Sequence, residues 1–456
     1  MVVVVVAAMT GGGVFLAVGR PGRAEPAGTG PRAVRPAGPV PSVNAAAFAG
    51  HGELAFVSRG TLWVLDGAAG TLRRVPAPGV VPADPVFSRD GRWLAFLGAA
   101  SRHSAGSAPY TLWLASGDGG GARQVRGLAP ERLLGWSPAS DVLAVTAGPL
   151  SATAPYGLAT TVWLVSPAGP ARRLVGAAGI ESAAWSPDGG SVAVATAGAS
   201  ASELASYPVT GGRPAPWLRL RASGSVPGGM NYLIDPAGWW PQRGIGFWAL
   251  ADSASLSADQ VPFYVISAPG ARPRRLGYTL SGGTTDAVAA AASGWLAIAD
   301  EPPGASGGRV IWQGSRVEAC GPATARCTGI SSPPSTVTLD PAWSPDGATL
   351  AFVRAPWRSS PAFPQRAVTA WYGAHQLWLY QPAGRALRRL VASGASVPVW
   401  SADGKSLLYA ARDGIWLLPR LNGHPARIAD PLFRPGRWPD YYGQVGWAAQ
   451  FAWWSR

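Results

Sequence analysis

Pro341-Ala342-Trp343-Ser344-Pro345-Asp346-Gly347-Ala348-Thr349-Leu350-Ala351-Phe352-Val353 is the stretch that decides the fold. It reads as one hairpin. A first strand ends in an aromatic, an Asp-Gly pair supplies the positive φ of a tight turn, and an apolar strand returns. The same text recurs from Ala184 to Val194, and in weaker form at 87–96, 136–145 and 400–409. Each copy is followed by a run such as Leu62-Trp63-Val64-Leu65 or Leu377-Trp378-Leu379-Tyr380, then by an Arg-rich one such as Leu72-Arg73-Arg74-Val75 or Leu387-Arg388-Arg389-Leu390. Self-similarity at a period of roughly 40 to 55 residues, in strand patterns only, marks small sheets repeated around an axis. One such sheet cannot bury both of its faces, so neighbours must stack to make a core.

The expected fold class is therefore all-β, a β-propeller of eight four-stranded blades, with seven as the alternative. First strands are placed near Phe48, Phe87, Trp136, Trp185, Trp239, Ala290, Trp343 and Trp400, and third strands at Trp63, Trp113, Trp163, Tyr207, Tyr264, Trp312, Trp378 and Trp416. The fifth and sixth units are degenerate, around Trp239-Trp240-Pro241 and Ala287 to Ala299. The run from Gln444 to Trp454 resembles one more first strand and could complete blade one, removing the open edges of the ring. Asp90, Asp188, Asp346 and Asp403, each before a glycine, are read as turn residues rather than catalytic or metal-binding carboxylates.

Three segments are delimited: 1–24, a signal peptide or single membrane anchor; 25–42, a flexible Pro/Gly/Ala linker; and 43–456, the propeller. Val2 to Val18 is apolar and, as a helix, reaches roughly 26 Å, the lower limit for a bilayer. No basic residue precedes it beyond the amino terminus, which points to a start codon further upstream. No cysteine follows the run, so no lipobox is read. The chain is placed outside the cytoplasm, secreted or anchored in the cytoplasmic membrane. Cys320 and Cys327 are its two cysteines, eight residues apart inclusive of both and separated by turn formers. A hairpin-closing disulfide is expected there, with free thiols or a metal site as the other readings.

A net charge of +14, almost all of it arginine, raises the question of nucleic acid. Arg73, Arg74, Arg123, Arg172, Arg173, Arg213, Arg272, Arg274, Arg275, Arg326, Arg388, Arg389 and Arg427 fall in or beside outermost strands, dispersed around a rim. Charged edge strands resist sheet-to-sheet aggregation, and a nucleic-acid groove would gather its arginines on one surface with aromatics between. No nucleic-acid partner is expected; an anionic envelope polymer is the other reading.

Catalytic and cofactor signatures are missing from the sequence: no Gly-x-Ser-x-Gly elbow, no phosphate-cradling glycine loop, no His-Glu-x-x-His and no Cys-x-x-Cys. No catalytic, cofactor-binding or metal residue is assigned, and no cofactor. Recognition is expected on the connections between second and third strands, which emerge on one face and carry Tyr110, Tyr156, Phe263, Trp357, Phe363, Trp371, Tyr372 and His375. Covering of strand ends is the alternative role for these side chains. The expected function is a binding or scaffold module for a protein or cell-envelope ligand. Alternatives are a lyase or hydrolase with its site in the central channel, favoured if carboxylates line that channel, and a purely structural envelope spacer.

The Trp-Ser-Pro-Asp-Gly-x-x-Leu-Ala-Phe paragraph, followed by Leu-Trp-Leu and Arg-Arg-Leu strands, resembles the TolB-like propeller repeat from residue 48 to about 432. The resemblance implies the ring and, through actinobacterial-type envelope propellers, an extracytoplasmic setting. It transfers no functional residue to this chain.

Overall fold

The computed structural model describes residues 39–100, 110–148, 159–198, 201–221, 232–251, 261–279, 287–300, 316–321, 327–358, 365–432 and 446–455. Their regular structure is almost entirely strand, arranged as six four-stranded antiparallel sheets and one of seven strands. In the seven-stranded sheet the long strand Arg172–Trp185 does two jobs. Its first part pairs with Ala159–Val165 and its second with Ser191–Ala197, so it ends one repeat and begins the next. The degenerate fifth and sixth repeats form complete sheets, Tyr232–Trp240 to Arg274–Thr279 and Ala287–Ala289 to Cys327–Gly329.

One first-strand expectation is corrected. Phe48 ends a short helix, Ala45–Phe48, capped by the Asn44 side chain, and the first strand of its sheet is Phe451–Trp454 from the other end of the chain. The helix wins because Asn44 offers its side chain to the Ala47 N–H, and the sheet position is taken by a Trp-rich segment that matches the repeat better. Phe451–Trp454 pairs with Glu53–Ser58, as the Gln444 to Trp454 reading anticipated. Ser42 to Asn44 is fastened beside Ala426–Ala429, with Ser42 N–H donating to Asp430 and Asn44 N–H to the Ile428 carbonyl. Both chain ends thus hold the same junction.

The core lies between sheets. Ala55, Leu62 and Val64 of one sheet pack against Leu94, Phe96 and Trp113 of the next. Leu112 and Leu114 meet Leu143 and Val145; Ala193 and Leu204 meet Ile245 and Phe247; Ala351 and Leu377 meet Leu407 and Tyr409. The last cluster joins Leu408, Ile415 and Leu417 to Leu54, Phe56 and Phe451, which closes the circle. Burying each of these large side chains contributes about 1.5 to 3 kcal/mol, so the stability resides at the contacts of successive sheets.

Repeated polar devices set the geometry. Ser88, Ser186, Ser344 and Ser401 donate to Asp90, Asp188, Asp346 and Asp403, and each aspartate also accepts the N–H two residues on. Those bonds hold the four carboxyls below the usual carboxylate range and confirm their turn role. Trp136, Trp185 and Trp400 donate from the indole to Val86, Gly135 and Ala342 carbonyls on the preceding inner strand. Arginines reach the other way along the rim: Arg73 to Asp118, Arg123 to the Pro167 carbonyl, Arg172 to Val209 and Arg388 to Leu421. At these four positions edge arginines therefore have a second structural use, fastening one unit to the next.

Candidate functional site

Alternating strand direction puts the first-to-second hairpins at one end of the ring and the second-to-third connections at the other. Polar side chains collect on the inner strands, in the half facing the second-to-third connections. Asp84 lies on Val81–Phe87, Glu131 and Arg132 on Pro130–Trp136, Glu181 and Ser182 on Arg172–Trp185, and Asp235 on Tyr232–Trp240. These strands pack on one another in succession. Register shifts interrupt each of them close to the polar residue, between Ala83 and Val86, Pro130 and Arg132, Ile180 and Ser182, and Pro236 and Gly238. A bulge re-aims side chains out of strict alternation, which is how a buried strand can turn a carboxyl toward the axis.

Arg132 is the hub. Its guanidinium donates to Ser182 Oγ at 3.0 Å and stands 3.9 Å from Asp235 Oδ1, linking strands that belong to three consecutive repeats. Glu181 and Asp235 are buried; Asp84, Glu131 and Arg132 are half-buried. Glu181 Oε2 is shielded from solvent and has no hydrogen-bond partner. Burial, with the neighbouring Asp235 carboxylate, pushes the Glu181 carboxyl up to about 8 against the pull of Arg132. Burial raises Asp235 and Asp84 to about 6, Arg132 again opposing, and it raises Glu131 as well. Desolvation thus outweighs one guanidinium shared among four acids.

A second polar group lies on the opposite arc. Asp340 accepts the Val397 N–H at 3.0 Å, and burial raises its carboxyl to about 6. Asp84, Asp340 and Val397, each followed by proline and each at a bulge, share a positive φ of 50°, 51° and 47°. His375 Nδ1 is 3.0 Å from Ser396 Oγ, and burial pushes its imidazole down to about 3. Neutral His375 is packed against Trp371 and Tyr372, with ring centroids at 4.3 and 4.7 Å.

The structure separates the sequence-predicted recognition residues. Trp357 is 46% exposed and Tyr110 half-buried, near the ends of second-to-third connections. Phe263 is instead fully buried against Trp248, and Trp371, Tyr372 and His375 are buried where helix Gln365–Gly373 folds onto the ring. All four lie in the interior in this structure. Tyr156 and Phe363 lie outside the described residues, as do the apolar run Val2 to Val18 and Trp312. Cys320 and Cys327 form a disulfide between directly paired strand residues, which fits an oxidising, extracytoplasmic setting. The buried Arg243 braces that hairpin through the Gly294, Cys320 and Gly321 carbonyls.

The carboxyl cluster escaped the sequence reading. Its signal was an acidic residue three or four positions before the first-strand aromatic, usually followed by proline: Asp84-Pro85, Asp235-Pro236, Asp340-Pro341, and Glu181 before Trp185. Among the described residues no group of three or more His, Cys, Asp or Glu is arranged to hold a metal ion, and no helix is long and apolar enough to cross a membrane.

No family model and no curated protein matches the chain. Among solved structures it is similar to an oligogalacturonate lyase in complex with manganese, at 12% identity over 86% of this chain and 89% of that one, with a TM-score of 0.45. It is also similar to a eukaryotic initiation factor, at 12% identity over 85% and 100% of the two chains, TM-score 0.46. A prolyl endopeptidase aligns at 14% identity over 85% of this chain and 51% of its own, TM-score 0.42. None of these likenesses assigns a substrate.

Proposed function

We propose that the chain is an extracytoplasmic, TolB-like propeller of eight blades, the seven-stranded sheet counting as two, that binds a protein or cell-envelope ligand at the end of its axis where the second-to-third connections gather. Membrane attachment or export through Val2 to Val18 belongs to the same reading, and Tyr110 and Trp357 flank the approach. The observation that carries it is the cluster of Asp84, Glu131, Arg132, Glu181 and Asp235. Replacing buried ionic groups by apolar side chains is often neutral or stabilising, so a ring that needed only strength would gain little from four acids around one arginine. Perturbed acids in a concave site are a signature of function.

The same residues favour a second reading, an enzyme acting at the axis. Glu181 holds a proton at neutral pH while its neighbour Asp235 titrates lower, the division of labour of a general acid and a general base. Capture from envelope extracts distinguishes the two readings. The purified protein should retain a ligand that a Glu181→Gln/Asp235→Asn variant loses, without consuming it. Conversion of a sugar or peptide substrate by the unsubstituted protein, abolished in the variant, would replace binding by catalysis, and equal retention by both proteins would remove the axis from consideration.

A further inference from the structure

We propose that the inner-strand cluster around Arg132 and Glu181 is a binding site for an alkylammonium group. This rests on the reading of the axis as the binding region and adds the chemistry of what enters it. Charge balance comes first. Among the described residues, Asp84, Glu131, Glu181 and Asp235 bring four carboxyls from four successive inner strands within the influence of one guanidinium, that of Arg132, and the other strands paired with Arg172–Trp185, namely Ala159–Val165 and Ser191–Ala197, contribute no charged residue. Arg132 reaches Ser182 and Asp235. Glu181 keeps an acceptor in reserve: its Oε2 is buried and unbonded, a costly condition for a carboxyl oxygen with no ligand to meet it.

Shape and access restrict the visitor. Three N–H donors on one compact positive centre match a lone carboxyl oxygen with further acids beside it, whereas a second planar guanidinium would compete with Arg132 for the same fork. A divalent metal would need three or more ligating groups in one place, an arrangement not found among the described residues. Asp84, Glu131 and Arg132 keep part of their surface accessible, so the margin of the cluster is not sealed by the described residues.

Binding moves a proton. At neutral pH the Glu181 carboxyl is protonated by burial, so the incoming ammonium pairs with the carboxylate and the carboxyl proton leaves to the buffer; no bond of the ligand is broken. Two sources carry this chemistry, a free amine and a lysine side chain of a peptide.

The test is calorimetric titration of the full chain at neutral pH with n-butylamine and with an acetyl-Gly-Lys-Gly amide peptide, each in two buffers of different ionisation enthalpy. A saturable heat with release of about one proton per ammonium is expected, as linkage requires. Preference for the peptide marks a lysine ligand and preference for butylamine a free one; the Nε-acetylated peptide should give no heat. Glu181→Gln should weaken binding by about tenfold or more and suppress the proton release. Asp84→Asn, at the half-exposed margin, tests the site without touching the buried acid and should weaken binding less; near-ultraviolet circular dichroism verifies that both variants fold. Absence of saturable heat with either amine, or unchanged affinity and proton count in both variants, overturns the inference. If the amines fail while the envelope ligand is still lost by the Glu181→Gln/Asp235→Asn protein, the ammonium site falls alone and the axis stands; if that ligand is also retained, both fall.

Discussion

The indole N–H of Trp185 donates to the Gly135 carbonyl at 2.9 Å, so the aromatic that ends one inner strand is pinned to the strand before it. Trp136 and Trp400 repeat the bond, whereas Trp343 follows the degenerate sixth repeat and its buried indole nitrogen has no partner. Trp185→Phe keeps the ring packing but leaves the Gly135 carbonyl unpaired, and should lower unfolding free energy by about 1 kcal/mol. Trp343→Phe should be closer to neutral. Urea denaturation followed by the remaining tryptophans reads both.

Closure of the ring should be sensitive at Gly52. Its φ is +85°, and a Cβ placed there would overlap the Trp454 carbonyl on the closing strand. Gly52→Ala is expected to cost about 1 to 2 kcal/mol from the left-handed backbone alone, with the clash in addition. Hydrogen exchange should show the added opening at Phe451–Trp454 and Glu53–Ser58 first; protection unchanged in those strands would contradict this account of the junction.

Reduction of the Cys320–Cys327 disulfide should act locally. A cross-link of this kind contributes typically about 2 to 4 kcal/mol, but here Arg243 and the Cys320 cluster with Phe263 and Ile298 also hold the hairpin. Cys320→Ser/Cys327→Ser is expected to raise exchange within Arg316–Cys320 and Cys327–Gly329 while the distant Leu54 and Phe96 strands keep their protection. Global unfolding on reduction would show that this repeat governs the whole ring.

Stability should depend on pH in two opposed ways. The folded Glu181 carboxyl, at about 8, keeps a proton that the unfolded chain releases near 4.5, so its contribution is complete below about 4.5 and is lost as pH climbs through 8. Asp84, Asp235 and Asp340 act in the same sense at lower pH. His375 acts oppositely: the unfolded imidazole takes a proton near 6.5 that the folded one, at about 3, refuses, so its contribution is complete above 6.5 and is lost on acidification. Thermal midpoints of Glu181→Gln should fall less on the alkaline side, and those of His375→Gln less on the acid side.

Much of this architecture was legible because each repeat carries its own chemistry. Asp-Gly turns, a mid-strand Trp and an Arg pair in the fourth strand recur at fixed offsets, and even the closing strand announces itself by Phe451 and Trp453-Trp454. Phe48 misled because an aromatic after small residues resembles a strand end, while the Asn44 cap that makes it helical is a single local bond. The axial acids were hidden for a different reason. Their positions drift by a residue from one inner strand to the next as bulges intervene, and only the folded ring brings Asp84, Arg132, Glu181 and Asp235 together across about 150 residues of chain. For Trp371, Tyr372 and His375 the sequence left exposure and burial both open, and the choice depends on how helix Gln365–Gly373 lies back over the ring.

Placing Phe451–Trp454 beside Glu53–Ser58 has a consequence for biosynthesis. The innermost strand of the opening sheet is synthesised only after all the intervening repeats, so a nascent chain that has not yet reached Phe451–Trp454 cannot complete its own circle. Until then Glu53–Ser58 presents a bare edge, and a product that stops short of Phe451–Trp454 would leave that edge unguarded.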